Sequence, residues 1–227
     1  MRPSTLPFLG AAALLLPPAP SPSAAQAPEL SIELVGNAGV VLSDGVTALL
    51  LDLPYESGAF GYQRYDPARL RPAGEVVAVV THHHRDHFLP DLFLPRRGWR
   101  VIGPPSAVAA VPPDRVAAGD SVAVGAFQVV AVPTPHTADH RSYRIRWRGR
   151  VLHVTGDTED GTALLAGPRV DLLFLTPWLA CTLEDAGRAT PAVRAVLYHR
   201  NPDGSDRRCG PAELLPQGTR FTLAPAR

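Results

Sequence analysis

Short apolar runs alternate with turn-forming residues along most of the chain, a pattern that predicts a fold built mainly from β-strands. The first runs are separated by Gly36-Asn37 and Asp44-Gly45, two dipeptides that favour tight turns. The run within 75–81 is continuously apolar, which is typical of a strand covered on both faces. The predicted strands cover 30–35, 39–43, 47–53, 75–81, 100–103, 121–124, 127–132, 142–148, 151–155, 172–175, 192–198 and 221–223, with one weak helix at 106–111.

Residue types that commonly bind metal ions stand just past several of these strands. Asp52 ends the third strand, and a histidine cluster follows the strand at 75–81. His136, Asp157 and His199 each follow a later strand. Ligands commonly bind beyond the carboxyl ends of strands in α/β proteins, so these side chains are expected at one edge of the sheets.

The cluster at 81–87 reads Thr-His-His-His-Arg-Asp-His and predicts a metal site. His82 and His84 are two residues apart, so in an extended backbone they point to the same side and can bind one ion. Asp86 and His87 are adjacent and turn toward a neighbouring position. Imidazole and carboxylate together suit zinc or a similar divalent metal, and the set exceeds what one tetrahedral ion can use. Two metal ions are therefore expected.

The remaining ligands can be assigned from their places after the strands. His136 would complete the first site as a third imidazole. His199 would complete the second site with Asp86 and His87, and Asp157 could bridge both ions. His83 is not expected to be a ligand. The other two histidines leave alternatives open: substrate contact or a structural role for His140, and a structural role inside a strand for His153.

Composition restricts the class of protein. The chain has 227 residues, of which 45% are hydrophobic and 19% charged, with a net charge of +1, as expected of one soluble globular domain. No basic tract is present to collect phosphates, which disfavours nucleic acid as a partner. Arginines alternate at 144, 146, 148 and 150, and they form either a solvated sheet face or a surface for an anionic substrate.

The N-terminal residues predict export. An apolar stretch at 8–16 is followed by a proline and serine-rich segment and small residues, so 1–25 is interpreted as a signal peptide and 26–227 as the mature domain, in the periplasm or secreted. The alternative is a retained anchor, although the stretch is shorter than the ~20 residues that span a bilayer. An oxidising compartment permits a disulfide between Cys181 and Cys209, but two separate small apolar side chains fit the sequence equally well.

The ordered set of ligands resembles the metallo-β-lactamase superfamily. Members carry a His-x-His-x-Asp-His motif, then a lone His, a lone Asp and a final His, each at a strand end. The matching residues here are His82, His84, Asp86, His87, His136, Asp157 and His199. The Gly-Asp-Thr context of Asp157 is most similar to the branch that contains ascorbate-6-phosphate lactonase.

The resemblance implies an α/β fold of the α+β kind, a four-layer αββα sandwich, and a binuclear metal-dependent hydrolase. Two divalent ions, expected to be Zn²⁺, would hold a bridging hydroxide that attacks an ester, lactone, phosphoester or amide bond of a small-molecule substrate. Asp86 would orient the water and accept its proton, and the His199 side of the site would stabilise the developing charge. Asp52 matches an aspartate that supports the ligands from behind.

Two alternatives remain from the sequence. One is a non-catalytic metal-binding or sensing protein on the same scaffold. The other is a β-lactamase, which the resemblance disfavours because the best-known exported members have Cys or Ser where Asp157 stands. Nucleic acid is not expected as a partner, and neither is stable membrane insertion after signal cleavage. The substrate pocket is expected to include the loop 55–65 and residues 178–184.

Overall fold

The structure, a computed structural model, describes residues 28–226 and consists of two β-sheets packed face to face with short helices on their outer sides. The predicted signal segment 1–25 lies outside the described residues. Within residues 28–226, no helix is long and apolar enough to cross a membrane. In chain order the strands and helices are β1 (Leu30–Gly36), β2 (Gly39–Ser43), β3 (Thr47–Leu51), β4 (Glu75–Val79), α1 (Pro90–Phe93), β5 (Arg100–Ile102), α2 (Pro105–Val108), β6 (Ser121–Val124), β7 (Phe127–Pro133), β8 (Arg141–Trp147), β9 (Arg150–Val154), α3 (Thr162–Leu165), β10 (Val170–Leu175), α4 (Pro177–Asp185), β11 (Ala192–Leu197), β12 (Glu213–Leu214) and β13 (Arg220–Leu223).

Both sheets mix antiparallel and parallel pairs. Sheet I has the order β13-β1-β2-β3-β4-β5, and its last three strands are parallel. Sheet II has the order β12-β11-β10-β9-β8-β7-β6, and the four strands from β9 to β12 are parallel. The parallel strands of each sheet end on the same edge, which collects the residues that follow them.

The main core lies between the two sheets. Alternate residues of β1 point inward, so Leu30, Ile32 and Leu34 are buried against sheet II, where Phe127 and Trp147 fill the largest volumes. The outer faces are covered separately. Phe93 of α1 and Ala107 of α2 belong to an apolar cluster on sheet I, and Leu179 and Leu183 of α4 belong to one on sheet II. The order helix, sheet, sheet, helix confirms the predicted αββα sandwich.

The helices were the least predictable elements. Three of the four have only four residues, and prolines stand at the first position of α1, α2 and α4, where a missing N–H costs nothing. Apart from α2, which spans Pro105–Val108 and not 106–111, none was predicted from the sequence. β3 ends at Leu51, two residues before its predicted end, because Asp52 takes a left-handed conformation with φ +47°.

Two surface features settle alternatives that the sequence left open. Cys181 of α4 and Cys209 form a disulfide, which ties this helix to the segment after β11. Within the arginine row, Arg144 donates to the carbonyl oxygen of Ala163 at 3.2 Å, and Arg150 pairs with Asp171 at 2.9 Å. These two arginines bond to other parts of the chain, which favours an ordinary sheet face over a surface for an anionic substrate.

Candidate metal centre

All seven predicted ligands converge at the strand edge, in three overlapping groups whose ligand atoms lie within 4.8 Å of one another. They come from the loops after β4, β7, β9 and β11. The groups are His82, His84 and His136; His82, His87 and Asp157; and Asp86, His87 and His199. The sequence order of the ligands thus becomes a spatial cluster, as the strand-end argument predicted.

The first triad consists of three imidazoles. Nε2 of His82 lies 2.9 Å from Nδ1 of His84, and the rings of His82 and His136 are 4.7 Å apart between centroids. The side chain of His82 is fully buried, whereas that of His136 is 29% exposed. This half of the site therefore faces the solvent.

The second triad is more deeply buried. Oδ2 of Asp86 lies 3.1 Å from Nε2 of His199 and 3.6 Å from Nε2 of His87. All three side chains are at most 4% exposed. Asn37 holds this side of the site in place: its side-chain amide donates to the backbone oxygen of Asp86 at 3.0 Å, and its own backbone oxygen accepts from the N–H of His199 at 2.9 Å.

Asp157 lies between the two triads. Its Oδ2 is 3.2 Å from Nε2 of both His87 and His199, and 3.9 Å from Nε2 of both His82 and His136. One carboxylate oxygen thus faces imidazoles from each group.

The donors fit divalent metal ions. In the described part of the chain, Nε2 of His87, both ring nitrogens of His199 and Oδ1 of Asp157 are buried and have no hydrogen-bond partner. Buried polar atoms without a partner are costly, and a coordinated cation would satisfy them. The imidazole and carboxylate donors are those that zinc and similar metals prefer.

The electrostatics of the pocket favour cations. Asp52, Asp86 and Asp157 are buried together and carry three negative charges. Burial alone would lower the pKa of His87, but the carboxylates of Asp157 and Asp52 outweigh it and raise that pKa well above its usual value. The three buried carboxylates therefore attract cations to this pocket.

Asp52 and Thr81 orient the ligands from behind. Asp52 is fully buried, and its Oδ1 accepts hydrogen bonds from the backbone N–H of Thr81 at 2.8 Å and from its hydroxyl at 3.0 Å. Its Oδ2 lies 3.0 Å from Nδ1 of His87. A carboxylate on Nδ1 fixes the tautomer in which Nε2 presents its lone pair to the pocket. This geometry agrees with the supporting role that the resemblance implied for Asp52.

His140 holds the backbone of Asp157 in place and does not line the pocket. It is 2% exposed, its Nδ1 lies 2.9 Å from the hydroxyl of Thr134, and its Nε2 accepts from the backbone N–H of Asp157 at 3.1 Å. Burial, followed by the charge of His136, lowers the pKa of His140 to about 4, which keeps Nε2 an acceptor at neutral pH. Of the two alternatives for this residue, the structural one is therefore correct.

Aromatic side chains flank His199. The ring of Tyr62, from the loop after β3, meets the His199 ring edge-on at 4.4 Å between centroids, and the ring of Trp178 in α4 does so at 5.1 Å. Nε1 of Trp178 also donates to the backbone oxygen of Asp157 at 3.3 Å. Both segments that were expected to line the pocket reach the site. Phe60 stands nearby, 65% exposed, beneath the guanidinium of Arg85.

Sequence reasoning missed three supporting residues. Asn37 was interpreted only as part of a turn, Thr81 only as the end of a strand, and Gly156 only as context for Asp157. Their contacts depend on the tertiary fold, since Asn37 and Asp86 are 49 positions apart. The left-handed φ of +48° at Asn37 and +62° at Gly156 marks their special positions, but only the structure reveals it.

Part of the chain is similar in sequence to a curated hydrolase. No protein-family model matches the chain. A stretch of 132 residues is 34% identical to the hydroxyacylglutathione hydrolase of Chelativorans sp. (strain BNC1), and it covers 54% of this chain and 48% of that enzyme. The chain thus aligns with about half the length of this relative.

Two solved structures share the architecture over nearly their whole length. The metallo-β-lactamase fold protein YhfI of Bacillus subtilis superposes with a TM-score of 0.61 at 14% identity, over 86% of this chain and 99% of that one. Igni18, a metallo hydrolase of the archaeon Ignicoccus hospitalis, superposes with a TM-score of 0.61 at 12% identity, over 86% and 98%. The chain has the metallo-β-lactamase fold, and its cluster of histidines and aspartates lies where the strands of that fold end.

Proposed function

We propose that this protein is an exported, binuclear metal-dependent hydrolase of a small-molecule ester, thioester, lactone, phosphoester or amide. The observation that carries the proposal is the placement of Oδ2 of Asp157, 3.2 Å from two imidazole nitrogens of one triad and 3.9 Å from two of the other. One carboxylate shared by two triads suits a pair of ions ~3.5 to 4 Å apart. Zinc is the proposed metal because the donors are imidazole and carboxylate.

The residues of the chain divide the chemistry between them. Bound divalent ions would supply Lewis acidity and a hydroxide nucleophile at neutral pH. Asp86 orients the attacking water and accepts its proton; burial would raise its pKa, but the nearby imidazoles of His199 and His87 keep that pKa below the usual value. His199, held by the backbone of Asn37, defines the side on which the developing negative charge is stabilised.

The proposed substrate lies against the aromatic side of the site. Tyr62 and Trp178 present apolar ring surface next to His199. Such a wall suits a substrate with an apolar group near the bond that is cleaved. The matched region of the Chelativorans enzyme makes a hydroxyacylglutathione one of the substrates to test.

Export is part of the proposal. The pattern of residues 1–25 is that of a signal peptide, and the disulfide between Cys181 and Cys209 is the kind of bond that persists in oxidising compartments. Neither a nucleic acid nor a stable membrane insertion of the mature chain is proposed. Secretion of the full-length chain with cleavage near residue 25 would support this part, and retention of an intact N-terminus in the cytoplasm would contradict it.

The decisive experiment combines metal analysis with a substrate panel. We expect purified protein to hold two equivalents of zinc and to turn over at least one ester, lactone, thioester or phosphodiester, whereas His84→Ala retains one equivalent and loses activity. His153→Gln is the matched control, because His153 is buried in β9 away from the ligands. Bound metal without turnover of any substrate would favour a non-catalytic metal-binding protein. Turnover of a β-lactam alone would instead identify a β-lactamase.

A further inference from the structure

Ser106 joins two other polar side chains at the mouth of the site. Its hydroxyl donates to Oδ1 of Asp139 at 2.7 Å, and its backbone N–H donates to Oδ2 of the same carboxylate at 2.8 Å. Nδ1 of His83 lies 3.3 Å from the Ser106 hydroxyl oxygen. A hydroxyl has one proton and two lone pairs. Because the hydroxyl uses its proton to donate to Asp139, the hydroxyl oxygen of Ser106 accepts from the N–H of His83.

Two of these three residues come from the segments that build the first triad, and the third comes from α2. His83 stands between His82 and His84 in the loop after β4 of sheet I. Asp139 stands three positions after His136, in the loop after β7 of sheet II. Ser106 belongs to α2, which follows β5 of sheet I. The hydrogen bonds through its hydroxyl therefore join the two ligand-bearing loops across the gap between the sheets.

The part of the loop next to His136, residues 135–139, makes few hydrogen bonds to the rest of the protein. Its backbone bonds, from Thr134 N–H to the oxygen of His140 and from His140 N–H to the oxygen of Thr137, lie within the loop itself. Among the described residues, the hydrogen bonds from 135–139 to another element are those of Asp139. Because His136 is the most exposed ligand of the triad, its position depends strongly on these bonds.

We propose that His83, Ser106 and Asp139 form a clasp that positions His136 and thereby sets the ion affinity of the triad of His82, His84 and His136. The proposal rests on the proposed two-ion function. The clasp does not reach the other triad, whose ligands are held by Asp52 and Asn37. It also gives His83 a role, as the contact between the ligand motif and α2.

The clasp differs from a hydrolytic Ser-His-Asp triad. In such a triad the carboxylate bonds the imidazole, and the imidazole takes the serine proton. Here the carboxylate of Asp139 accepts a hydrogen bond from the serine hydroxyl directly, and the imidazole of His83 donates to the hydroxyl oxygen. The arrangement can position residues, but it does not activate the serine as a nucleophile.

Zinc affinity measured by competition with a chelating indicator tests the clasp. We expect Asp139→Ala and Ser106→Ala to bind the more weakly held of two zinc equivalents about 10-fold less tightly, a typical effect of losing a partner behind a ligand. The double variant should be no weaker than Asp139→Ala, because Asp139→Ala already removes both bonds to Ser106, whereas the backbone N–H of Ser106→Ala can still donate to Asp139. Asp139→Asn keeps an acceptor for the Ser106 N–H and should restore most of the affinity.

Two controls distinguish a specific effect on zinc affinity from a general loss of stability. Asp66→Ala is the matched control, since Asp66 also accepts a backbone N–H, that of Ala68 at 2.9 Å, at the start of the short 3₁₀ helix Pro67–Arg69, but does not belong to the ligand groups. In a His84→Ala background, which removes the first triad, Asp139→Ala should leave the affinity for the remaining zinc unchanged.

The outcomes distinguish the clasp from the function on which it rests. A wild-type protein that binds no zinc would overturn both. Wild-type protein with two zinc equivalents, together with Asp139→Ala of unchanged affinity, would overturn the clasp alone. Equal weakening of both equivalents, or weakening that persists in the His84→Ala background, would also overturn it.

Discussion

Gly156 is the position where a single methyl group is expected to disturb the site most clearly. Its φ of +62° lies in the left-handed region, and a Cβ built there would be 2.3 Å from Nε2 of His140 and 3.0 Å from Cβ of Thr81. Both neighbours support ligands, so neither can move without consequence. Gly156→Ala therefore pushes His140 away from the backbone N–H of Asp157, the hydrogen bond that places the shared carboxylate.

The expected cost has two parts. The left-handed backbone costs a residue with a Cβ about 1–2 kcal/mol, and overpacking of a tight interior costs about 1–3 kcal/mol. The sum is about 2–5 kcal/mol, which for a chain of this size corresponds to a fall in Tm of about 4–20 °C. Thermal unfolding in the presence of EDTA measures this cost without a contribution from bound metal. Zinc competition then measures the damage to the site.

Gly187→Ala is the matched control for this prediction. Gly187 has nearly the same φ, +64°, but a Cβ there would meet nothing within 4 Å. It should show only the backbone cost of about 1–2 kcal/mol and wild-type zinc affinity. If Gly156→Ala were no more destabilising than Gly187→Ala and bound zinc normally, the inferred packing of His140 against Asp157 would be refuted.

Three further predictions concern the disulfide, the acid response and the aromatic wall. Cys181 and Cys209 close a loop of 28 residues, so Cys181→Ser with Cys209→Ser should lower the free energy of unfolding by about 3–4 kcal/mol in urea denaturation. Burial lowers the pKa of His153 to about 3, so the folded state binds a proton on His153 less readily than the unfolded state. The free energy of unfolding is therefore highest above pH ~6.5 and falls by about 1.4 kcal/mol per pH unit as the pH drops toward ~3. His153→Leu in EDTA should remove that part of the acid sensitivity. Tyr62→Ala removes the ring that contacts His199, and it should raise KM about 2-fold to 10-fold with unchanged zinc content.

Each of these has a result that contradicts it. Equal unfolding free energies for the oxidised protein and the serine variant would mean that the bond adds no stability. A wild-type dependence on pH in His153→Leu would place the acid sensitivity in other groups. Tyr62→Phe keeps the ring and serves as the control for the wall; if it raised KM as much as Tyr62→Ala did, the hydroxyl and not the ring would bind the substrate.

Most of the sheet structure could be predicted because strands leave a local signal. The turn pairs at Gly36-Asn37 and Asp44-Gly45 and the buried runs correctly placed twelve of the thirteen described strands, whereas β12, with two residues, was missed. The helices could not be placed in the same way. α1, α2 and α3 have four residues each, too few for the 3.6-residue period to show. Packing of their apolar side chains against the outer face of a sheet stabilises them.

The convergence of the ligands could be predicted because each one follows a strand and the strands of such a fold end at a common edge. The supporting contacts could not, because they depend on which loops meet in space. The hydrogen bond between Asn37 and Asp86 joins positions 49 apart, and that between His140 and Asp157 joins positions 17 apart. An asparagine in a turn or a histidine near another histidine has too many ordinary roles for its sequence context to select one.

The two halves of the site are held by different means, and this difference follows from how deeply their ligands are buried. Both triads take one histidine from sheet II. In the buried triad this is His199, whose N–H donates to the backbone oxygen of Asn37, and Asn37 and Asp52 also hold Asp86 and His87. The other triad takes His136, which is 29% exposed. Water can compete for any bond that holds an exposed ligand, so this half needs a link between the sheets, which Ser106 and Asp139 supply. An ion in this half is therefore the one whose affinity depends on surface residues, while Asp157 couples it to the buried half.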